Sequence, residues 1–143
     1  MNYLLDTNVI SELIKKQPNR QVIRWIDEQD AGRMYLSVVT IGEVQKGITK
    51  LSSSERKNTL QTWLDTDLRL RFDKRILELT SSVMTQWGRL TGTLELQGRV
   101  LSAFDSLIAA TCLQHQAILV TRNEDDFQGT GVTIINPWNI PAS

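Results

Sequence analysis

The chain has 143 residues, 41% hydrophobic and 22% charged, with 16 basic residues balancing 16 acidic ones. That size and mix suit one domain over residues 1–143 with a single core, and the zero net charge excludes a strong overall field for nucleic acid, though not a local basic rim. The single cysteine, Cys112, excludes an internal disulfide and fits a reducing compartment.

Tyr3-Leu4-Leu5 is a short apolar run that suits a buried strand, and it stops at Asp6-Thr7-Asn8. Val9, Ile10, Leu13 and Ile14 then predict a helix over Asn8–Lys16. Asp6 therefore stands where a strand gives way to a helix, the usual place of a binding crevice in parallel α/β sheets. The same position suits a helix cap, so both readings stand. Pro18 and Asn19 break the pattern, and a second helix is expected over Arg20–Glu28. Met34–Val39 reads as a second strand.

Thr40-Ile41-Gly42-Glu43 has capping-box spacing and is expected to open a third helix. Glu43 is then either the box partner or a carboxylate facing the same crevice as Asp6. Ser52 and Glu55 form a second box, ahead of a helix with Leu60, Trp63 and Leu64. Alternation over Arg69–Phe72 predicts a short edge strand. Asp73 is expected to cap a long helix carrying Ile76, Leu77, Val83, Trp87 and Leu90, and Gly88–Gly98 reads as irregular.

Phe104–His115 is the next helix, with Asp105 on the same face as Ala109 and Cys112. A charge on an apolar face must cap, pair or bind a cation, and Ser102-x-x-Asp105 permits the capping reading. Ala117–Val120 is a strand that ends in Thr121-Arg122-Asn123-Glu124-Asp125-Asp126-Phe127. Val132–Ile135 is expected as the last strand, terminated by Asn136-Pro137-Trp138. Strands separated by helices imply an α/β/α three-layer sandwich with a central, mostly parallel sheet. No apolar run approaches the roughly 20 residues of a membrane span, and no signal-like leader precedes the first strand. A soluble, cytoplasmic protein without membrane contact is expected.

Asp6, Glu43, Asp105 and Asp126 come from four separated points, and the predicted topology lets them meet at one sheet edge. Clustered carboxylates raise one another's pKa values and need protons or a cation. Mg²⁺, with Mn²⁺ as a substitute, suits such oxygen donors. Zinc does not suit a chain with one cysteine and one histidine, His115. A metal held this way polarises phosphoryl oxygens and acidifies a bound water, which is the chemistry of phosphodiester hydrolysis by one or two ions. Thr7, Asn8, Thr121 and Asn123 either orient waters and carboxylates or serve as caps and turns.

The segments Leu5–Glu12, Glu43, Asp105–Thr111 and Thr121–Phe127 together resemble the PIN domain. The Val132–Trp138 segment is similar to its VapC and FitB branch. The resemblance implies a small Mg²⁺-dependent ribonuclease, the toxin of a type II toxin–antitoxin pair. It also implies a homodimer and a cognate antitoxin whose tail occupies the groove, with operator DNA reached through that antitoxin. By position Asp6, Glu43 and Asp105 match the core acids. Asn123 stands where many members have aspartate, and Asp126 is taken as the fourth acid with Asn123 as helper. Leu101-Ser102 departs from the common Leu-Pro.

Lys46, Lys50, Arg89, Arg99 and Arg122 are candidates for RNA phosphate contacts, or surface charges. Trp25, Trp63, Trp87 and Trp138 can stack bases, or pack in the core or an interface. Two other functions compete. A phosphatase of the haloacid dehalogenase type needs Asp-x-Asp, and Asn8 occupies the second acid's position. A catalytically silent module would hold an antitoxin or DNA without cleaving anything.

Overall fold

The computed structural model describes residues 1–140. At its centre lies β1 (Tyr3–Leu5), parallel to β2 (Met34–Ser37) on one side and β4 (Ile118–Val120) on the other. The edge strands β3 (Ile76–Leu77) and β5 (Ile134–Ile135) complete a parallel sheet of order β3-β2-β1-β4-β5. Successive strand residues face opposite sides. Leu5, Leu36 and Val120 enter one core, with residues of α1 (Thr7–Glu12), α2 (Arg20–Glu28), α3 (Val38–Thr49) and α4 (Glu55–Thr62). Leu4 and Leu119 enter the other, with α5 (Ser81–Leu96) and α6 (Ala103–His115). The expected three layers are present, and the sheet is wholly parallel.

Several boundaries differ from the sequence reading. The first helix stops at Glu12, whose carboxylate accepts the amide of Asn19, seven residues further on, at 2.8 Å. The strand expected to reach Val39 ends at Ser37, whose hydroxyl caps α3 by accepting the Val39 amide at 3.0 Å. Thr40 is thus inside the helix and is not its cap. The next helix is capped by Ser54, which accepts the Lys57 amide, and not by Ser52.

Arg69–Phe72 is no strand. The helix α4 continues through a π turn, Trp63–Leu68, and on through Arg69–Arg71. Leu64, Leu68 and Phe72 are fully buried at spacings of four, which is helical periodicity, while Leu70 is left exposed. Lys74 then adopts φ 63 and turns the chain, so Ile76 and Leu77 join the sheet instead of a helix. Thr80, not Asp73, caps α5. That helix runs through Gly88 and Gly92 to Leu96, because Val83, Leu90 and Leu94 form one buried stripe. No helix of the described residues is long and apolar enough to cross a membrane.

An added Cβ at Gly88 meets nothing within 4 Å, and the residue sits mid-helix. Gly88→Ala is therefore expected to raise stability by about 0.5–1 kcal/mol through reduced unfolded-state freedom. Urea unfolding measures it, and a loss of stability counts against the continuous helix.

Candidate active site

The chain leaves β1 toward β2 and β3 on one side, then returns to place β4 and β5 on the other. The reversal falls between β1 and β4, and ligands of parallel α/β sheets bind outside the carboxyl ends of strands at such a point. Asp6 and Thr121 are the residues immediately after those two strands. The Asp6 amide extends the pairing to the Val120 carbonyl at 2.9 Å.

Asp6 is 5% exposed. Its Oδ1 accepts the Thr7 amide at 2.8 Å, and its Oδ2 accepts the Thr121 hydroxyl at 2.9 Å and the Asn8 side-chain amide at 3.4 Å. Burial pushes its pKa up to about 6; the bonds from Thr121 and Thr7 oppose this, and the charges of Asp105 and Glu43 add to it. Asp6 is thus both cap and buried acid. Asn8 also donates to Thr121 Oγ1 and accepts the Arg122 amide, each at 3.2 Å, so it ties the ends of β1 and β4 together. Thr121 Oγ1 accepts the Asn123 amide at 3.1 Å.

Glu43 is half-buried in the second turn of α3. Its Oε1 accepts the Thr7 hydroxyl at 2.7 Å, and Thr7 Oγ1 lies 3.1 Å from Thr40 Oγ1. The capping-box role is excluded because the helix begins earlier. Asp105 stands in the first turn of α6, where Ser102 caps its backbone amide at 3.2 Å. Burial raises the Asp105 carboxyl, the Ser102 side chain lowers it, and the charge of Asp126 raises it. Asp126 lies exposed on a 3-10 turn, Glu124–Phe127. The acids therefore sense one another as a series: Glu43 and Asp105 act on Asp6, and Asp126 acts on Asp105.

One contributor has no site signal in the sequence: Thr40 has the spacing of a cap, yet its buried hydroxyl reaches Thr7. Glu12 is 2% exposed. Burial alone raises its carboxyl, but the Lys15 and Asn19 bonds and the charges of Lys15 and Arg122 outweigh this and lower it.

Some candidates have other tasks. The Arg99 guanidinium donates to the carbonyls of Asp125 and Asp126 at 3.4 Å, so it braces the acidic turn. It passes so near Gly129, at φ +78, that a Cβ there would lie 2.8 Å from Arg99 Nη1. The Arg122 guanidinium lies over the Trp138 ring, 5.4 Å from its centroid. Trp25 packs edge-on against Tyr3, and Trp87 donates to Ser106 Oγ at 2.8 Å. Trp63 packs against the α1–α4 core, and Lys46, Lys50 and Arg89 are exposed.

Residues 3–132 match the PIN domain. The chain belongs to the PIN domain family. This PIN domain is 35% identical to "Toxin FitB" of Neisseria gonorrhoeae over 136 residues, covering 95% of this chain and 98% of that protein. It is 34% identical to "VapC ribonuclease Y4jK" of Sinorhizobium fredii over 135 residues, covering 94% and 96%. The solved structure of FitAB bound to an IR36 DNA fragment superposes with a TM-score of 0.91 at 33% identity, covering 98% of both chains.

Carboxylate oxygens are of the chemical type that a hard cation takes. All four acids offer oxygen, and Asp6 is an acid whose burial disfavours the bare anion. Among the described residues no three acids close into a ready-made cage. Mg²⁺-type ions do not need one, because they keep several waters and use one or two carboxylates. Asn8, whose amide is committed to Asp6, Thr121 and Arg122, supplies no second carboxylate for an aspartyl-phosphate reaction.

In the metal-free PIN domain Asp6 titrates near 6 when folded, against 3.8 for an ordinary aspartate. Between these values the folded chain holds a proton that the unfolded chain has lost. The stabilising contribution is complete below the lower value and disappears as pH rises through the higher one. Relative to Asp6→Asn, the unsubstituted protein is expected to lose about 2–3 kcal/mol from pH 4 to pH 7 in chelator. Denaturant titrations at both pH values test this, and parallel curves for the two proteins exclude Asp6 as the source.

Proposed function

We propose that this PIN domain, as one domain over residues 1–143, is a metal-dependent endoribonuclease. It hydrolyses RNA phosphodiester bonds, acts as the toxin of a type II toxin–antitoxin pair and is neutralised by a cognate antitoxin. The observation that carries the reading is the buried Asp6 carboxylate at the sheet's switch point, under the charges of Glu43 and Asp105. The relative named a VapC ribonuclease and the one named a toxin supply the activity class and the biological role. FitAB on DNA supports an antitoxin partner and DNA contact through it.

Asp6, Glu43, Asp105 and Asp126 are the residues we assign to hold Mg²⁺, or Mn²⁺ in its place. Such an ion supplies Lewis acidity at a phosphoryl oxygen and a more acidic water. The chain's part is placement. Thr121, Asn8 and the Thr7 amide fix both oxygens of Asp6, and the Thr7 hydroxyl fixes Glu43. Asp126, whose charge reaches Asp105, is preferred over Asn123 as the fourth acid, and Asn123 supports Thr121 through its amide. The setting is the cytoplasm, where RNA is available, and the working form is a homodimer.

Asp6→Asn and Asp105→Asn are each expected to slow RNA cleavage by about 100- to 1000-fold, the share of a barrier that a metal's charge stabilisation supplies. Chelation should do the same. Cleavage is read by mapping RNA ends, with circular dichroism confirming the fold. Wild-type rates in both variants end the nuclease reading.

A further inference from the structure

We propose that Thr40 is a positioning residue for Glu43, acting through the Thr7 hydroxyl. Thr40 is fully buried in the first turn of α3, three residues before Glu43. A hydroxyl has one proton to give, and an ionised carboxylate only accepts. The 2.7 Å contact therefore directs the Thr7 proton to Glu43 Oε1. In the 3.1 Å contact between Thr7 and Thr40, Thr40 must then be the donor. The bonds run in one direction, from Thr40 to Thr7 to Glu43, and each polarises the next.

The order matters because Glu43 is a long side chain on a half-buried helix face. Among the described residues, Thr7 makes its one side-chain hydrogen bond. Thr7 itself leaves the end of β1, whereas Thr40 and Glu43 follow the end of β2. The relay thus links two neighbouring strand ends and fixes the Glu43 carboxylate on Thr7, the residue next to Asp6. A buried valine at 40 would keep the shape of the site but leave Thr7 free to turn its oxygen elsewhere. This role rests on the reading that Glu43 helps to hold a divalent cation.

Calorimetric titration with Mn²⁺ alone tests the relay, without RNA. Thr40→Val is expected to weaken Mn²⁺ binding about tenfold, and Thr40→Ser to stay within about twofold of wild type, as loss or retention of a ligand's hydrogen-bonded support does elsewhere. In a Glu43→Gln background, Thr40→Val should cost nothing further, because the carboxylate that the relay positions is already gone. Thr40→Ala carries the same expectation if the valine variant does not fold. Wild-type Mn²⁺ affinity in Thr40→Val, or an undiminished loss in the Glu43→Gln background, overturns the assignment. Asp6→Asn and Glu43→Gln are measured alongside. If they too bind Mn²⁺ normally, the metal reading itself fails and takes the relay with it; if they lose binding while Thr40→Val does not, the relay alone fails.

Discussion

The structure turns on one costly placement: a carboxylate, Asp6, is almost wholly withdrawn from water at the centre of a parallel sheet. An unsupported anion there is strongly disfavoured. The protein meets that demand with a backbone amide, a hydroxyl and a side-chain amide, all supplied by residues at two strand ends. The bonds from Thr121 and Thr7 only partly offset burial, so Asp6 still titrates above an ordinary aspartate. A site that leaves a buried acid short of positive charge is suited to a cation.

Support spreads outward from Asp6 in one direction. Through Asn8 and Thr121 it reaches the Arg122 backbone, and Arg122 rests its guanidinium on Trp138 near the end of the described chain. On the other side only like charge links Asp6 to Asp105 and Asp105 to Asp126, whose turn is braced by Arg99 beside Gly129. Two arginines that lie close to the acids thus hold backbone and ring in place.

Strands β1, β2, β4 and β5 were legible in the sequence because apolar runs end abruptly at polar residues, whereas the two-residue β3, Ile76–Leu77, read as part of a helix. Tyr3–Leu5 and Ile118–Val120 read directly, since full burial leaves no competing pattern. Helix limits were less legible. Thr40-x-x-Glu43 satisfies the local rule for a cap, but Ser37 lies nearer the strand end and takes that role. Arg69–Phe72 alternates like a strand, and its helical nature shows only when Leu64 and Leu68 are seen beneath Phe72. The glycines at 88 and 92 suggest irregularity, and tertiary burial of Leu90 and Leu94 overrides them. Side-chain relays such as Thr40 to Glu43 by way of Thr7 have no sequence signature, because one partner lies 33 residues away.

The bond between Thr121 and Asp6 joins residues 115 positions apart. Asp6 leaves the ribosome 115 residues ahead of Thr121, so part of its shelter is delivered long after it. Until β4 arrives the nascent chain carries an ordinary, hydrated aspartate with no pocket around it. An incomplete translation product that stops short of Ile118 has lost one wall of the crevice. The topology therefore delays assembly of the centre until β4 has been made.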